Sequence, residues 1–360
     1  MKILHLQTEL KIACGITKII YLLVENTSQE INHSVLTFGG DAIDRFKSAG
    51  IDVVVSAKTN GGLQQSLEVL IRIFFLVRKQ NIDIIHSHHR YFDFIAFFIS
   101  KLIRVKTITS VQSKVYGKKI FSYKADCLIA CSNYIKEHLI NYFRIDAGRI
   151  TVIHNFVDPK EAVVTKEKTT LKRELGLEDS IIIIGFIGRF SVREKGVDIL
   201  LESFKKLSSD DNDSRLIMIG DGEDEDYVKN FITSNDLKTI LITPKENIYD
   251  YYNIIDIVVL PSRIEPFGIV VIEGGLMKKS VIASDIDGLK EIIDNGVNGS
   301  LFPYENVKSL TATLKVLIKN SQMRIKFGEE LYKKVMNNFT NKKIVPLYKQ
   351  TYQQLMKDEW

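Results

Sequence analysis

Two glutamates frame an apolar run in "EPFGIVVIE", Glu265 and Glu273, eight positions apart. Carboxylates are costly to bury without partners, so this stretch asks what those partners are. Read as a strand "DIVVLPS", a loop "RIEPFG" and a helix "IVVIEGGLM", it places Glu265 near a helix N-terminus, where negative charge is favoured. Glu273 then falls about two turns into the helix, where sugar hydroxyls would be good partners. The backbone N–H groups around Phe267, Gly268 and Ile269 can hold a phosphate or sugar oxygen at the same helix start. Upstream, "IIIIGFIGRFSVREKGVDILLESF" ends a buried strand at Arg189, and Lys195 with Gly196 opens the following helix. Two cations beside a helix N-terminus suit a diphosphate, with arginine able to grip it bidentately; the bland alternative is two solvated surface cations.

In the first half of the chain, "HSHHRYFDF" gathers His86, His88 and His89, three of the seven histidines, at a strand's carboxyl end. In extended backbone His86 and His88 point the same way. A metal would need further ligands, and none is signalled; orienting a substrate hydroxyl fits one of these histidines better, against polar strand-end residues as the plain alternative. After the first strand comes "TELKIACGITKII", where Gly15 would let backbone N–H groups approach a phosphate or sugar. This single glycine does not make the G-x-G-x-x-G dinucleotide fingerprint, and a tight turn before a helix explains it equally well.

These residues need elements to hold them at strand ends. Short apolar, β-branched runs recur, each followed by a helical pattern: "KILHL", "HSVLTF", "DVVV", "DIIHS", "TITSV", "CLIAC" and "ITVIH", then "IIIIGFIG", "RLIMIG", "TILIT", "DIVVLPS" and "SVIASD". Near-continuous Val/Ile strands between amphipathic helices are what a parallel sheet covered on both faces requires. Two such series in 360 residues predict an α/β protein of two doubly wound, Rossmann-like lobes. The polar, lysine-rich "NFVDPKEAVVTKEKTTLKRELGL" marks the break. The domains expected are 1–162 and 163–342, with the ligand site between them.

Composition narrows the class further. No run of 18 or more uncharged apolar residues is present, so a spanning helix is not expected, and "MKILHLQTEL" does not read as a signal peptide. Three cysteines, Cys14, Cys127 and Cys131, read as reduced thiols of a cytoplasmic protein. Residues 1–160 carry 21 Lys and Arg against 13 Asp and Glu, whereas the remainder carries 28 against 31. The first half therefore meets something anionic. No nucleic-acid-binding signature accompanies the charge, so nucleic acid is not expected.

Together these motifs resemble the retaining glycosyltransferases of the GT-B fold, specifically glycosyltransferase family four (glycosyl transferases group 1). The hallmark is the glutamate pair of "EPFGIVVIE", supported by "GRF…EKGVDILLESF", "VIHNFVD", "DIIHSHH" and "IASDIDGLKEIIDNGVNGSLF" in the expected order. The resemblance implies a nucleotide-sugar donor, UDP- or GDP-linked, held mainly by the second lobe, with no cofactor and no metal. Arg189 and Lys195 would bind the diphosphate and stabilise the leaving nucleotide electrostatically. Glu265 would face the donor sugar and Glu273 the ribose hydroxyls. His88, with His86 second in line, would match the family's strand-end histidine at the reacting centre, and Gly15 would lie near the donor phosphates and acceptor. Family members often have paired glycines where this chain has Cys14 and Gly15. The final helix, about 343–360, would pack back on the first lobe. Front-face transfer with retention is the implied mechanism, the leaving phosphate taking the acceptor's proton.

The implied role is transfer of a hexose or N-acetylhexosamine to a glycan or lipid-linked acceptor, in cell-surface polysaccharide or lipopolysaccharide biosynthesis. The basic first lobe contains "KVYGKKIFSYK" and the apolar "FDFIAFFISKLIRVK", a mixture suited to peripheral contact with the anionic inner leaflet of a membrane. Three other readings share some features: an epimerase or phosphorylase on the same two-lobed fold, a non-catalytic two-lobed binding protein, and a dehydrogenase. The glutamate pattern argues against the first, the absence of an export signal against the second, and the missing fingerprint against the third.

Overall fold

The computed structural model describes residues 1–56, 63–208, 214–243 and 247–357. The chain divides into two compact units, one comprising residues 1–155 together with the chain from Asn341 onward, the other Phe156–Thr340. The last helix, Asn341–Lys357, thus belongs to the first unit; the remainder of the C-terminal helix expected to residue 360 lies outside the described residues.

The first unit holds strands β1 (Lys2–Leu6), β2 (Asn32–Thr37), β3 (Asp52–Val55), β4 (Ile84–Ser87), β5 (Lys106–Val111), β6 (Cys127–Ala130) and β7 (Ile150–Val152). They form one sheet in the order β3-β2-β1-β4-β5-β6-β7, and every pairing is parallel. The second unit holds β8 (Ile182–Ile187), β9 (Ser214–Ile219), β10 (Thr239–Ile242), β11 (Ile257–Leu260), β12 (Ser280–Ser284) and β13 (Ser300–Phe302). Their order is β10-β9-β8-β11-β12-β13, again all parallel. This is the pair of doubly wound sheets that the β-branched runs predict. Among the described residues the one strand not foreseen is β13, whose three residues within "NGSLF" are too short to stand out.

Parallel strands must be covered on both faces, and the helices supply the cover. In the first unit Leu4, Leu6, Leu36 and Ile85 pack with Val69, Ile73, Phe92 and Ile95 from the helices Leu63–Gln80 and Arg90–Leu102. In the second, Ile184, Phe186, Leu216 and Val259 pack with Leu200, Phe204, Leu310 and Leu314.

Each strand order reverses once, between β1 and β4 in the first sheet and between β8 and β11 in the second. Crevices beyond the carboxyl ends of strands at such reversals are where open α/β sheets bind ligands. The segments that leave β1, β4, β8 and β11 are those carrying Gly15, His88, Arg189 with Lys195, and Glu265.

Candidate active site

In the second unit, β8 runs out at Ile187 and the chain turns through Arg189 into a four-residue helix, Val192–Lys195, whose N-cap Ser191 accepts from Glu194 N. Lys195 therefore ends this short helix rather than opening the next. Gly196 follows in the left-handed region (φ +63°), where a Cβ would meet the Pro261 carbonyl oxygen at 2.1 Å. Only glycine permits so close an approach between the segments leaving β8 and β11. The contact is reinforced by Arg263 N and Ile264 N, which donate to Glu194 O at 2.8 and 3.1 Å.

This approach brings two of the sequence-singled residues together. Lys195 Nζ donates to Glu265 Oε2 at 2.7 Å, and Ser262 Oγ donates to the same oxygen at 3.3 Å. Glu265 is nearly buried, so its charge is met by a cation and a hydroxyl rather than by bulk water. Asp287 Oδ2 accepts from Glu265 N at 3.4 Å. Arg189 stays half-exposed; it pairs with Glu194 and lies 4.0 Å from Glu223.

Phe267 is buried, its ring 5.5 Å from that of Phe339, which pins the end of the loop. Gly268, at φ +107°, is the N-cap of the helix Ile269–Leu276 and has no side chain with which to cap the first turn. The N-terminal N–H groups from Ile269 onward thus start a helix whose positive dipole end suits an anion. Because the helix starts at Ile269, Glu273 lies about one turn in, not two. It is buried, and Tyr252 Oη donates to its Oε2 at 2.9 Å. Burial, with the Glu273 charge adding to it, holds the Tyr252 phenol well above its usual range, so it remains a donor.

In the first unit, Gly15 is the first residue of the helix Gly15–Glu25, with Cys14 as its N-cap. His88 follows β4, and its backbone N–H donates to Leu6 O at 2.9 Å, fixing it beside the end of β1. Gly15 and His88 sit in the first unit, and Arg189, Lys195, Glu265, Phe267, Gly268, Ile269 and Glu273 in the second. His89 is exposed and caps the helix Arg90–Leu102 by accepting from Tyr91 N, which gives it a local structural task.

The sequence did not reveal the company His88 keeps. His5, in β1, is register partner to His86 in β4, and His33 lies on the neighbouring β2. Period-two alternation puts His5, His33, His86 and His88 on one face of the sheet. His5 Nδ1 is 3.0 Å from His88 Nε2, and His5 Nε2 is 2.9 Å from His33 Nδ1. His86 is held by Tyr352 Oη and Ser110 Oγ, each at 2.8 Å, and its ring centroid is 4.2 Å from that of His88. Nitrogens of His5, His86 and His88 approach within 4.8 Å of one another, a spacing a metal could use. Both nitrogens of His5 and both of His86 are already hydrogen-bonded, however, so the cluster reads as a hydrogen-bond network. Burial lowers all four imidazoles, His33 to about 4 and His88 to about 3, and keeps them neutral at pH 7. The available sign was a polar residue on the inward register of two apolar strands, "KILHL" and "NHSVLT".

Comparison with known proteins identifies two family profiles. Residues 14–161 match Glycosyltransferase Family 4 and residues 167–334 match Glycosyl transferases group 1. An uncharacterized glycosyltransferase of Methanocaldococcus jannaschii is 27% identical over 356 residues, 95% of each chain. The capsular polysaccharide biosynthesis glycosyltransferase CapM of Staphylococcus aureus is 25% identical over 327 residues, 85% of each. Among solved structures, Anabaena HepE in complex with UDP and glucose superposes with a TM-score of 0.86 at 20% identity, over 99% of this chain and 100% of that one.

Proposed function

The chain belongs to glycosyltransferase family 4, the group 1 glycosyl transferases of GT-B fold, and on that premise we propose that it moves a hexose or N-acetylhexosamine from a UDP- or GDP-sugar to a glycan or lipid-linked acceptor, with retention and without a metal. CapM, a relative, is a capsular polysaccharide biosynthesis enzyme, which supports a role in building a cell-surface polysaccharide or lipopolysaccharide. Family membership argues against the epimerase and the non-catalytic binding protein.

The observation that carries the donor assignment is the Lys195–Glu265 pair beside the uncapped helix start at Gly268. A diphosphate accepts hydrogen bonds from lysine, arginine and helix N-terminal amides alike. Arg189 and Lys195 take it, and the first amides of the helix Ile269–Leu276 complete the cradle. As the bond from the anomeric carbon to the leaving phosphate breaks, these groups stabilise the charge that develops on the phosphate. The acceptor oxygen bonds to the anomeric carbon from the same face, and its proton passes to a phosphate oxygen. Glu265 orients the sugar, Glu273 binds the ribose hydroxyls, and His88 is assigned to the donor sugar. A thermal-shift screen of UDP- and GDP-sugars should stabilise the wild type, with smaller shifts for Arg189→Ala and Glu273→Ala. Equal shifts in all three proteins would place the donor elsewhere.

Exposed apolar side chains with basic neighbours in the first unit support the proposed peripheral contact with an anionic membrane. On the helix Leu63–Gln80, Leu67, Ile71 and Phe75 recur every fourth residue and are exposed. Phe98, Leu102, Ile120 and Phe121 are exposed as well, and Phe94 touches both Phe98 and Phe121. The same segments carry the exposed cations Arg72, Arg78, Lys79, Lys101, Arg104, Lys118 and Lys119. Apolar anchors with basic neighbours bind anionic bilayers, each cation contributing about 1 kcal/mol near the surface. No helix among the described residues is long and apolar enough to cross a membrane, so the contact proposed is peripheral. Flotation with phosphatidylserine vesicles at low salt should carry the protein upward, and Phe75→Ser with Leu102→Ser should abolish it.

A further inference from the structure

The hydrogen bonds behind His88 have a direction, and it can be read from one end. Thr27 follows the helix Gly15–Glu25, and its hydroxyl lies 2.6 Å from the carbonyl oxygen of Leu23. A carbonyl oxygen only accepts, so the single hydroxyl proton of Thr27 points there. Thr27 Oγ1 must then accept from His33 Nε2, 2.7 Å away. A neutral imidazole has one N–H, so His33 Nδ1 is bare and accepts from His5 Nε2 at 2.9 Å. By the same rule His5 Nδ1 is bare and accepts from His88 Nε2 at 3.0 Å. Each ring is buried, and burial keeps each neutral at pH 7, so no link in this sequence is open to a second arrangement without breaking a bond.

We infer that Thr27, His33 and His5 form a one-way hydrogen-bonded chain that fixes His88 as its Nε2–H tautomer and leaves Nδ1 as a lone-pair acceptor. His5 and His33 are then positioning residues for His88. This rests on the assignment of His88 to the donor sugar and sharpens it: His88 accepts a hydrogen bond from a sugar hydroxyl and cannot donate one. His86 stands outside the chain. Its nitrogens are taken by Tyr352 and Ser110, and its ring packs against that of His88, which restricts the rotation that would exchange the two nitrogens.

Long-range proton–nitrogen correlation spectra of protein labelled with ¹⁵N-histidine test the inference directly at pH 7.5. The expected result is Nε2–H for His5, His33 and His88 in the wild type. Thr27→Val removes the anchoring acceptor and should convert His88 to a mixture of tautomers, while Thr27→Ser should restore the single form. Turnover should follow the tautomer, falling at least tenfold in Thr27→Val and recovering in Thr27→Ser, with binding of UDP or GDP unchanged within twofold. A wild-type His88 found as Nδ1–H, or a Thr27→Val spectrum identical to wild type, overturns the chain. If the tautomers are as stated but His88→Ala turns over normally, the chain stands and the role of His88 at the sugar falls.

Discussion

Lys195 Nζ and Glu265 Oε2 lie 2.7 Å apart although 70 positions separate them in the chain. The two segments meet because β8 and β11 are neighbours at the reversal in strand order and because Gly196 lets the backbone at Pro261 come close. Each residue is the other's counter-charge; in the proposed donor complex the ammonium would be drawn to the diphosphate and the carboxylate to sugar hydroxyls. Lys195→Ala should therefore cost both stability and catalysis. A nearly buried carboxylate that loses a charged hydrogen-bond partner costs about 1.5–3 kcal/mol, readable by urea denaturation. Loss of one group stabilising the leaving charge should lower turnover about 10²–10³-fold. A variant with normal turnover would remove Lys195 from the chemistry.

Arg263 is the second prediction, and it is a residue the motif reading passed over. Its guanidinium grips Asp198 bidentately at 2.7 and 2.8 Å, reaches Glu305 at 2.6 Å, and also donates to the Val192 carbonyl. It thereby ties the loop that carries Glu265 to the segment that carries Lys195. Arg263→Lys keeps the charge but loses the planar fork, which a lysine cannot reproduce. We expect a stability loss of about 1–3 kcal/mol and weaker donor binding, measured by denaturation and by calorimetric titration with the nucleotide sugar. Unchanged donor affinity would separate this clamp from the site.

What the sequence disclosed and what it withheld follow from range. Strands announced themselves because their β-branched runs are local, and Arg189, Lys195, Glu265 and Glu273 stood out because charge is conspicuous beside apolar strands and helices. Their partners did not stand out. Tyr252 and Ser262 are ordinary residues until folding sets them against a carboxylate, and His86 meets Tyr352 across 266 positions. His5 and His33 were visible only as single polar letters in apolar strands; the pairing of β1 with β2 and β4 is what makes them a set. The helix start at Ile269 was legible, and at 3.6 residues per turn it puts Glu273 about one turn in; the left-handed backbone of Gly268 that begins the helix has no side-chain signal in "EPFGIVVIE".

Glu273 and Tyr252 give a third prediction. The phenol donates to the carboxylate at 2.9 Å within the core, so Tyr252→Phe leaves a buried carboxylate short of a donor and costs about 1.5–3 kcal/mol. Glu273→Gln keeps the shape but neutralises the acceptor proposed for the ribose hydroxyls. Its expected signature is a raised KM for the donor with kcat reduced less than threefold. A large fall in kcat at unchanged KM would mean that Glu273 acts on the reacting centre rather than on the ribose.

The buried histidines make the first unit sensitive to acid, and the sign follows from their shifts. Burial lowers His33 from 6.5 to about 4 and His88 from 6.5 to about 3, with His5 and His86 also well below the usual value. Between pH 6.5 and those folded values the unfolded chain binds protons that the folded unit refuses. Stability is therefore fully present above about pH 6.5 and is lost as the pH falls, by about 1.4 kcal/mol per pH unit for each histidine well inside its window. Asp93 works in the opposite sense, since burial raises its carboxyl above 3.8. Hydrogen exchange at the β1, β2 and β4 amides reports the first unit alone. Its opening free energy should fall steeply from pH 7 to pH 5, and His33→Asn should flatten that slope by one histidine's share. A wild-type slope near zero over this range would mean that the four rings are not held neutral in the fold.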